Sequence, residues 1–370
     1  MMIFKNCTFY NEFFEKEFGD IEIENGKIKQ IGILGEGRDM SGLTLIPGFV
    51  DVHIHGCGGG DSSDASAESL DKITKELVRH GVTSFCPTSM TLPKDRLLDI
   101  VKTIAGFKSS GSKIAGINLE GPFIAMSKKG AQNGEYVRGG TIEEFDELMA
   151  ASNNMVKLIT IAPEAFDSKE FIEYVGRKAT VSIGHSAANS EECKKAIDLG
   201  VRHATHLYNA MTPMTHREAG IVGTALDSDI TCELICDGGH ICPAVLRNTF
   251  KMLGEDRAVV ISDSMRGAGL GEGAFELGGQ QVFVEKNGKY AVLADGTIAA
   301  SISNLHTEFK NLIEYGIDFK AALKACTINP ARVIQADDEI GSIAVGKCAD
   351  LVFLDENLDI KEVYINGISA

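Results

Sequence analysis

No apolar run in the 370 residues approaches the ~18 needed to cross a bilayer, and the start, Met1-Met2-Ile3-Phe4-Lys5-Asn6, lacks the apolar stretch of a secretory signal. The expectation is a cytoplasmic protein. No C-x-x-C pair occurs among the nine cysteines, whose number is odd and whose positions are scattered, so neither a disulfide framework nor a cysteine zinc site is indicated. Most are expected to be small buried residues. Positive charge is in deficit: 36 Lys and Arg against 52 Asp and Glu leave a net −16, spread along the chain, which argues against nucleic acid and anionic membrane as partners. Glycine and proline (40 and 8) are too few for a collagen-like or low-complexity chain, while 44% hydrophobic and 24% charged residues are ordinary for a globular protein.

The two ends of the chain read alike. Asp20–Glu24 and Lys27–Ile31 flank Asn25-Gly26, and Leu351–Leu354 precedes Val363–Gly367, short alternating strands with turn signals between them. Between these ends, apolar runs followed by helical patterns recur near 48–54, 82–86, 114–119, 156–161, 179–183, 201–205, 230–235 and 258–261. Eight such βα units predict an α/β fold, a TIM-like (β/α)8 barrel, with a small β-sandwich domain built from both chain ends. The expected division is 1–46 and 336–370 for the small β domain and 47–335 for the barrel. Helices are predicted at Ser66–Arg79 and at Ser190–Leu199, the latter capped by Asn189, with a final helical stretch over Leu305–Ile334. The glycine-richer segment 267–295 reads as an inserted flap, with a hairpin about Asn287-Gly288.

In such a barrel, chemistry gathers where the strands end. His53 and His55 close the first strand, and strand alternation sets both rings on one face. Glu120 ends the third strand, His185 the fifth and His206 the sixth; His240 follows the seventh and Asp263 ends the eighth. Imidazole and carboxylate are what a divalent metal such as zinc or iron takes from a protein, with one position left for water in a hydrolytic site. Asp263 is placed to take a proton from that water and return it to a leaving group. Arg217 and His240 are candidate anion binders, because an acidic chain must concentrate positive groups where it holds an anion. His80, His203 and His306 are assigned no chemistry.

Several longer motifs carry a resemblance. Pro47-Gly48-Phe49-Val50-Asp51-Val52-His53-Ile54-His55-Gly56, Leu119-Glu120-Gly121-Pro122-Phe123, Gly184-His185-Ser186, Thr205-His206-Leu207-Tyr208-Asn209-Ala210-Met211, Asp237-Gly238-Gly239-His240, Ser262-Asp263 and Ala294-Asp295-Gly296-Thr297 resemble the amidohydrolase superfamily, and within it the deacetylases of amino sugar phosphates. The resemblance is nearly chain-long. It implies hydrolysis of an N-acetyl group to acetate and a free amino sugar phosphate, the sugar being N-acetylglucosamine 6-phosphate. An N-acetylgalactosamine 6-phosphate deacetylase, another barrel amidohydrolase and a non-catalytic metal-binding protein are the alternatives.

Carried over by motif, Glu120, His185 and His206 hold the main metal and Asp263 is the acid/base. Asn209, the main chain of Ala210, Arg217 and His240 hold the sugar phosphate, while Ala131, Gln132 and Ile298 line the pocket. The counterpart of Arg217 reaches into a neighbouring subunit, which implies a homodimer. Two features depart from the family pattern. Gln132 stands where many members have a histidine that polarises the scissile carbonyl, and Ala300 stands where glycine is usual. His53 and His55, which some members have lost, are both present. A second divalent ion bound by that pair, with Glu120 bridging, would supply the electrophile that Gln132 cannot, so two metals per chain are expected.

Overall fold

Each of the eight apolar runs becomes a parallel strand, and the strands pair in the order in which the sequence delivers them. The computed structural model describes residues 2–370. Its barrel strands are Phe49–Ile54, Val82–Ser89, Ile117–Glu120, Val156–Ile161, Thr180–Ile183, His203–Ala204, Thr231–Leu234 and Ala258–Val260, named first to eighth below. The run near 114–119 is split: Lys113–Ile114 is a separate short strand beside the second, and the barrel strand begins only at Ile117. The sixth strand is only two residues long, starting at His203 and ending before the turn at His206.

Between the eighth strand and the first there is no regular ladder. The barrel closes there through main-chain bonds from Asp263 N to His53 O and from His55 N to Ser264 O, each 2.9 Å. Beneath them Asp51 bridges the seam: Ser262 Oγ donates to Oδ2 at 2.6 Å, and the main-chain N–H groups of Ser262 and His53 donate to Oδ1 at 3.3 Å. Burial, partly offset by these bonds, pushes the Asp51 carboxyl up to about 7.

Alternation along the first strand does not run straight through. Val50 and Val52 pack in the barrel interior with Leu158, Val259 and Ile261, whereas Phe49 and Ile54 pack outward against the helices. Parity therefore changes between Val52 and His53, where the pairing with the second strand also slips. His53 and His55 do share a face, as the spacing predicts; the slip is what turns that face into the barrel mouth.

Helix Ala67–Arg79 starts at Ser66, whose side chain accepts from Ser69 N, and helix Ser190–Leu199 starts in a capping box between Asn189 and Glu192. The helical stretch expected over 305–334 is three helices, Leu305–Glu314, Phe319–Cys326 and Ile328–Val333. Gly316, at φ 83°, ends the first of them in a conformation that favours glycine. The flap is likewise larger than its hairpin: Gly273–Leu277, Gln280–Val284, Tyr290–Val292 and Ile298–Ser301 form a four-stranded antiparallel sheet.

Strands from both chain ends build one further sheet, in the order 368–369, 360–365, 351–354, 44–47, 2–10, 16–24, 27–32, with Arg38–Asp39 beside Met2–Tyr10. It rolls on itself: Lys27 of the edge strand bridges to Cys348, just before the interior strand 351–354. Phe4, Phe353 and Tyr364 meet edge to face in its own core. All nine cysteines are free and seven are buried. Among the described residues no helix is long and apolar enough to cross a membrane.

The seam is open to test. Asp51→Ala strips the acceptor from three buried donors, so it is expected to destabilise the chain by roughly 3 kcal/mol in urea unfolding. A loss below about 0.5 kcal/mol would show that the main-chain bonds close the barrel alone.

Candidate active site

At the C-terminal ends of the barrel strands the chain leaves each strand abruptly. His185, His206 and Asp263 all sit at positive φ (46°, 29° and 44°), a conformation that costs a residue with a Cβ about 1 kcal/mol or more. The turn aims each side chain across the mouth. There the four imidazoles of His53, His55, His185 and His206 surround the Glu120 carboxylate, all of them buried.

Three of these rings are pinned from behind. His185 Nδ1 lies 2.8 Å from the carbonyl of Lys128, His55 Nδ1 lies 3.3 Å from the carbonyl of Thr88, and His53 Nδ1 lies 2.9 Å from Glu233 Oε2. A carbonyl or carboxylate oxygen only accepts, so Nδ1 must carry the hydrogen in each ring. In a neutral ring the lone pair then sits on Nε2. Those Nε2 atoms face oxygen: His185 lies 2.9 Å from Glu120 Oε1, and His55 lies 3.2 Å from Glu120 Oε2 and 3.3 Å from Asp263 Oδ1. His53 Nε2 has no hydrogen-bond partner, standing 3.5 Å from Asp263 Oδ1 and 3.7 Å from Glu120 Oε1.

Lone pairs converging on anions in a buried space require positive charge between them, either protons or a cation. The ligand atoms of His53, His55 and Glu120 lie within 4.8 Å of one another, and so do those of Glu120, His185 and His206. Glu120 belongs to both groups. His206 Nε2 completes the second, 2.8 Å from Glu120 Oε1 and 3.1 Å from His185 Nε2. The donor set, nitrogen and carboxylate oxygen with an unpartnered ring nitrogen, fits a divalent ion of the zinc or iron kind.

Without such an ion, protons answer the same demand. Burial opposes ionisation of every group here, yet the charge of His53 and the hydrogen bonds from His185 and His206 hold the Glu120 carboxyl well below its usual range. His53 is held well above the usual imidazole value by Glu233, Asp263 and Glu120, against its own burial. His55, against the same burial, is pushed up to about 10 by hydrogen bonds to Asp263 and Glu120.

Above the cluster opens a cavity of about 410 Å3. Of the residues expected at the site, His55, Glu120, Ala131, Gln132, His185, His206, Asn209, Ala210, His240, Asp263 and Ile298 line it, with His53 buried beneath. His240 is fixed by Asp237, whose Oδ2 lies 2.7 Å from Nδ1. The flap reaches in through Gln280, whose amide donates to the Ala131 carbonyl. Arg217 is not part of this cavity; it is exposed on the loop between the sixth strand and the next helix, Gly220–Asp227.

Gln132 lines the cavity with its amide already engaged. Nε2 donates to Glu120 Oε2 at 2.7 Å and faces Met90 Sδ at 3.6 Å, while Oε1 accepts from Thr91 N at 2.6 Å. It therefore braces Glu120, and reaching a substrate carbonyl would require breaking that contact. Glu233 and His203 are the residues here that sequence reasoning misses. His203 Nε2 lies 3.1 Å from Glu233 Oε1, directly behind His53. The available signal was a lone carboxylate within the apolar run 230–235.

The Amidohydrolase family profile matches residues 44–369. An N-acetylglucosamine-6-phosphate deacetylase of Bacillus subtilis (strain 168) is 35% identical, covering 86% of this chain and 82% of its own length. An N-acetylgalactosamine-6-phosphate deacetylase of Escherichia coli O157:H7 is 33% identical, over 87% and 86%. The crystal structure of an N-acetylglucosamine-6-phosphate deacetylase from Pasteurella multocida superposes with a TM-score of 0.92 at 29% identity, covering 100% of this chain and 99% of that one.

The proton-filled cluster has a pH signature. A ring whose value rises from 6.5 unfolded to about 10 folded, as for His55, stabilises the metal-free chain fully below pH 6.5. That contribution is lost as pH climbs through 10. The chelator-treated chain is therefore expected to melt at lower temperature at pH 9 than at pH 6.5, and the drop should shrink once divalent metal is restored. An equal drop in both forms, followed by calorimetry, would locate the titrating groups elsewhere.

Proposed function

The chain belongs to the amidohydrolase family, and on that premise we propose that the barrel mouth hydrolyses N-acetylglucosamine 6-phosphate to glucosamine 6-phosphate and acetate. The observation that carries the reading is the set of four imidazoles aimed at Glu120, with Asp263 beside them on the floor of the cavity. A divalent ion bound there would polarise the acetyl carbonyl and make a water molecule nucleophilic near neutral pH. His185, His206 and Glu120 would hold one ion, and His53, His55 and Glu120 a second, Glu120 Oε2 facing His55 and Oε1 facing His185, His206 and, at 3.7 Å, His53.

The remaining work falls to the chain's own groups. Asp263, 3.3 Å from His55 Nε2 and lining the cavity, takes the proton released when water adds to the acetyl carbon. It then delivers that proton to the departing amine nitrogen as the C–N bond breaks, so acetate and a free amine leave with all atoms accounted for. Gln132 keeps Glu120 in place throughout. His240, oriented by Asp237, and Asn209 with the Ala210 main chain receive the sugar phosphate and orient it far from the reacting carbon. Arg217, exposed and outside its own cavity, is suited to the phosphate of a neighbouring site in a cytoplasmic homodimer.

Acetate release from N-acetylglucosamine 6-phosphate, with metal content measured on the same sample, is the direct test. Faster turnover of the galactosamine epimer would transfer the assignment to that sugar, and no release from either would remove it. Asp263→Asn is expected to retain metal and fold while kcat/KM falls by roughly 10²–10⁴. Arg217→Ala is expected to raise KM for the phosphorylated sugar with metal content unchanged. Unaltered saturation would show Arg217 to be an ordinary surface charge.

A further inference from the structure

Of the three pinned rings, two are held by neutral carbonyls, Lys128 for His185 and Thr88 for His55. Only His53 is held by a carboxylate. Glu233 stands on the seventh strand, fully buried and outside the cavity lining, with both of its oxygens hydrogen-bonded. Its Oε2 accepts from His53 Nδ1 and from the His206 main-chain N–H, both at 2.9 Å, and its Oε1 accepts from His203 Nε2 at 3.1 Å. His203 is fixed in turn, its Nδ1 lying 2.6 Å from Thr231 Oγ1. One carboxylate thus sets the ring of His53 and the backbone of His206, which departs from its strand at φ 29°.

We propose that Glu233 is a positioning residue of the metal centre, locking the hydrogen of His53 on Nδ1, aiming its Nε2 at Glu120 and making it the strongest imidazole donor of the set. The physical basis is the charge: a ring donating to a carboxylate carries more electron density on its other nitrogen than one donating to a carbonyl. His203 and Thr231 serve by keeping Glu233 from turning. The inference rests on the metal reading given above and adds to it the residue that governs how tightly the His53 ion is held.

Glu233→Gln isolates the charge. The amide oxygen can still accept from His53 and His206, and its nitrogen can donate to His203 once that ring carries its hydrogen on Nδ1, toward Thr231. Chelator-stripped wild-type and variant chains would be titrated with Zn2+ against a competing chromophoric chelator, and the melting temperature of each stripped form recorded. The expected result is one binding event weakened about 10–100-fold in the variant, with the stripped forms melting alike. Zn2+ affinities that coincide, whether or not the stripped variant melts earlier, overturn the proposal and leave the metal reading intact. A wild-type chain that takes up no Zn2+ overturns both. Nitrogen-15 spectra of the Zn2+-loaded wild type give a second check: a hydrogen on His53 Nδ1 supports the assignment, and one on Nε2 overturns it.

Discussion

The site depends on directing lone pairs at negative charge in a buried space. His185, His55 and His53 each donate backward through Nδ1, so their Nε2 atoms have no choice but to face Glu120 and Asp263. Alone, that arrangement is electrostatically untenable. It becomes favourable when a positive charge enters, and it offers protons and divalent ions the same coordinates. Competition between the two follows from the geometry itself, because each ion that binds must displace the protons that the carboxylates have drawn onto the rings.

The rest of the barrel mouth serves that arrangement. Three of the converging groups sit at left-handed backbone positions, and the strain there is borne by a framework that has little freedom: Glu233 Oε2 takes the His206 N–H, and Asp263 N donates to His53 O across the seam. The seam is both a structural weak point and a functional one. A regular ladder between the eighth and first strands would continue alternation and keep Asp263 in register with its neighbours. The bridging Asp51 closes the barrel while leaving Asp263 and the histidine pair free to turn inward.

What was legible in the sequence follows from the same physics. His53, His55, Glu120, His185, His206 and Asp263 stand at strand ends, with Gly56, Gly121 and Gly184 beside three of them, where a polar residue breaks an apolar run and is easily seen. Eight runs of strand length with helical patterns between them suffice for the barrel. Less could be read of what holds the site together. The acceptors behind His185 and His55 are main-chain carbonyls, which every residue possesses and no spacing distinguishes. Glu233 sits between Cys232 and Leu234, where alternation alone makes a polar residue look solvent-facing. In a barrel buried on both faces there is no solvent-facing side, and that is why it was passed over. The outer strands of the flap were lost for a different reason: Gly273 and Ala299-Ala300 offer almost no β propensity, and their pairing is decided by the neighbouring hairpin.

Gln132 and the His53–His55 pair bear on each other. A histidine there could carry charge to a substrate carbonyl, but a glutamine cannot. Its amide instead spans Thr91 and Glu120 Oε2, the oxygen that faces His55, while Oε1 faces His185 and His206. Held at that oxygen, Glu120 keeps Oε2 toward His55 and Oε1 toward His185 and His206, with His53 Nε2 3.7 Å from Oε1. What the Gln132 amide does here is hold Glu120 Oε2 in place. With Gln132 engaged in this way, a cation held by the His53 group would be the nearest source of positive charge for a substrate carbonyl.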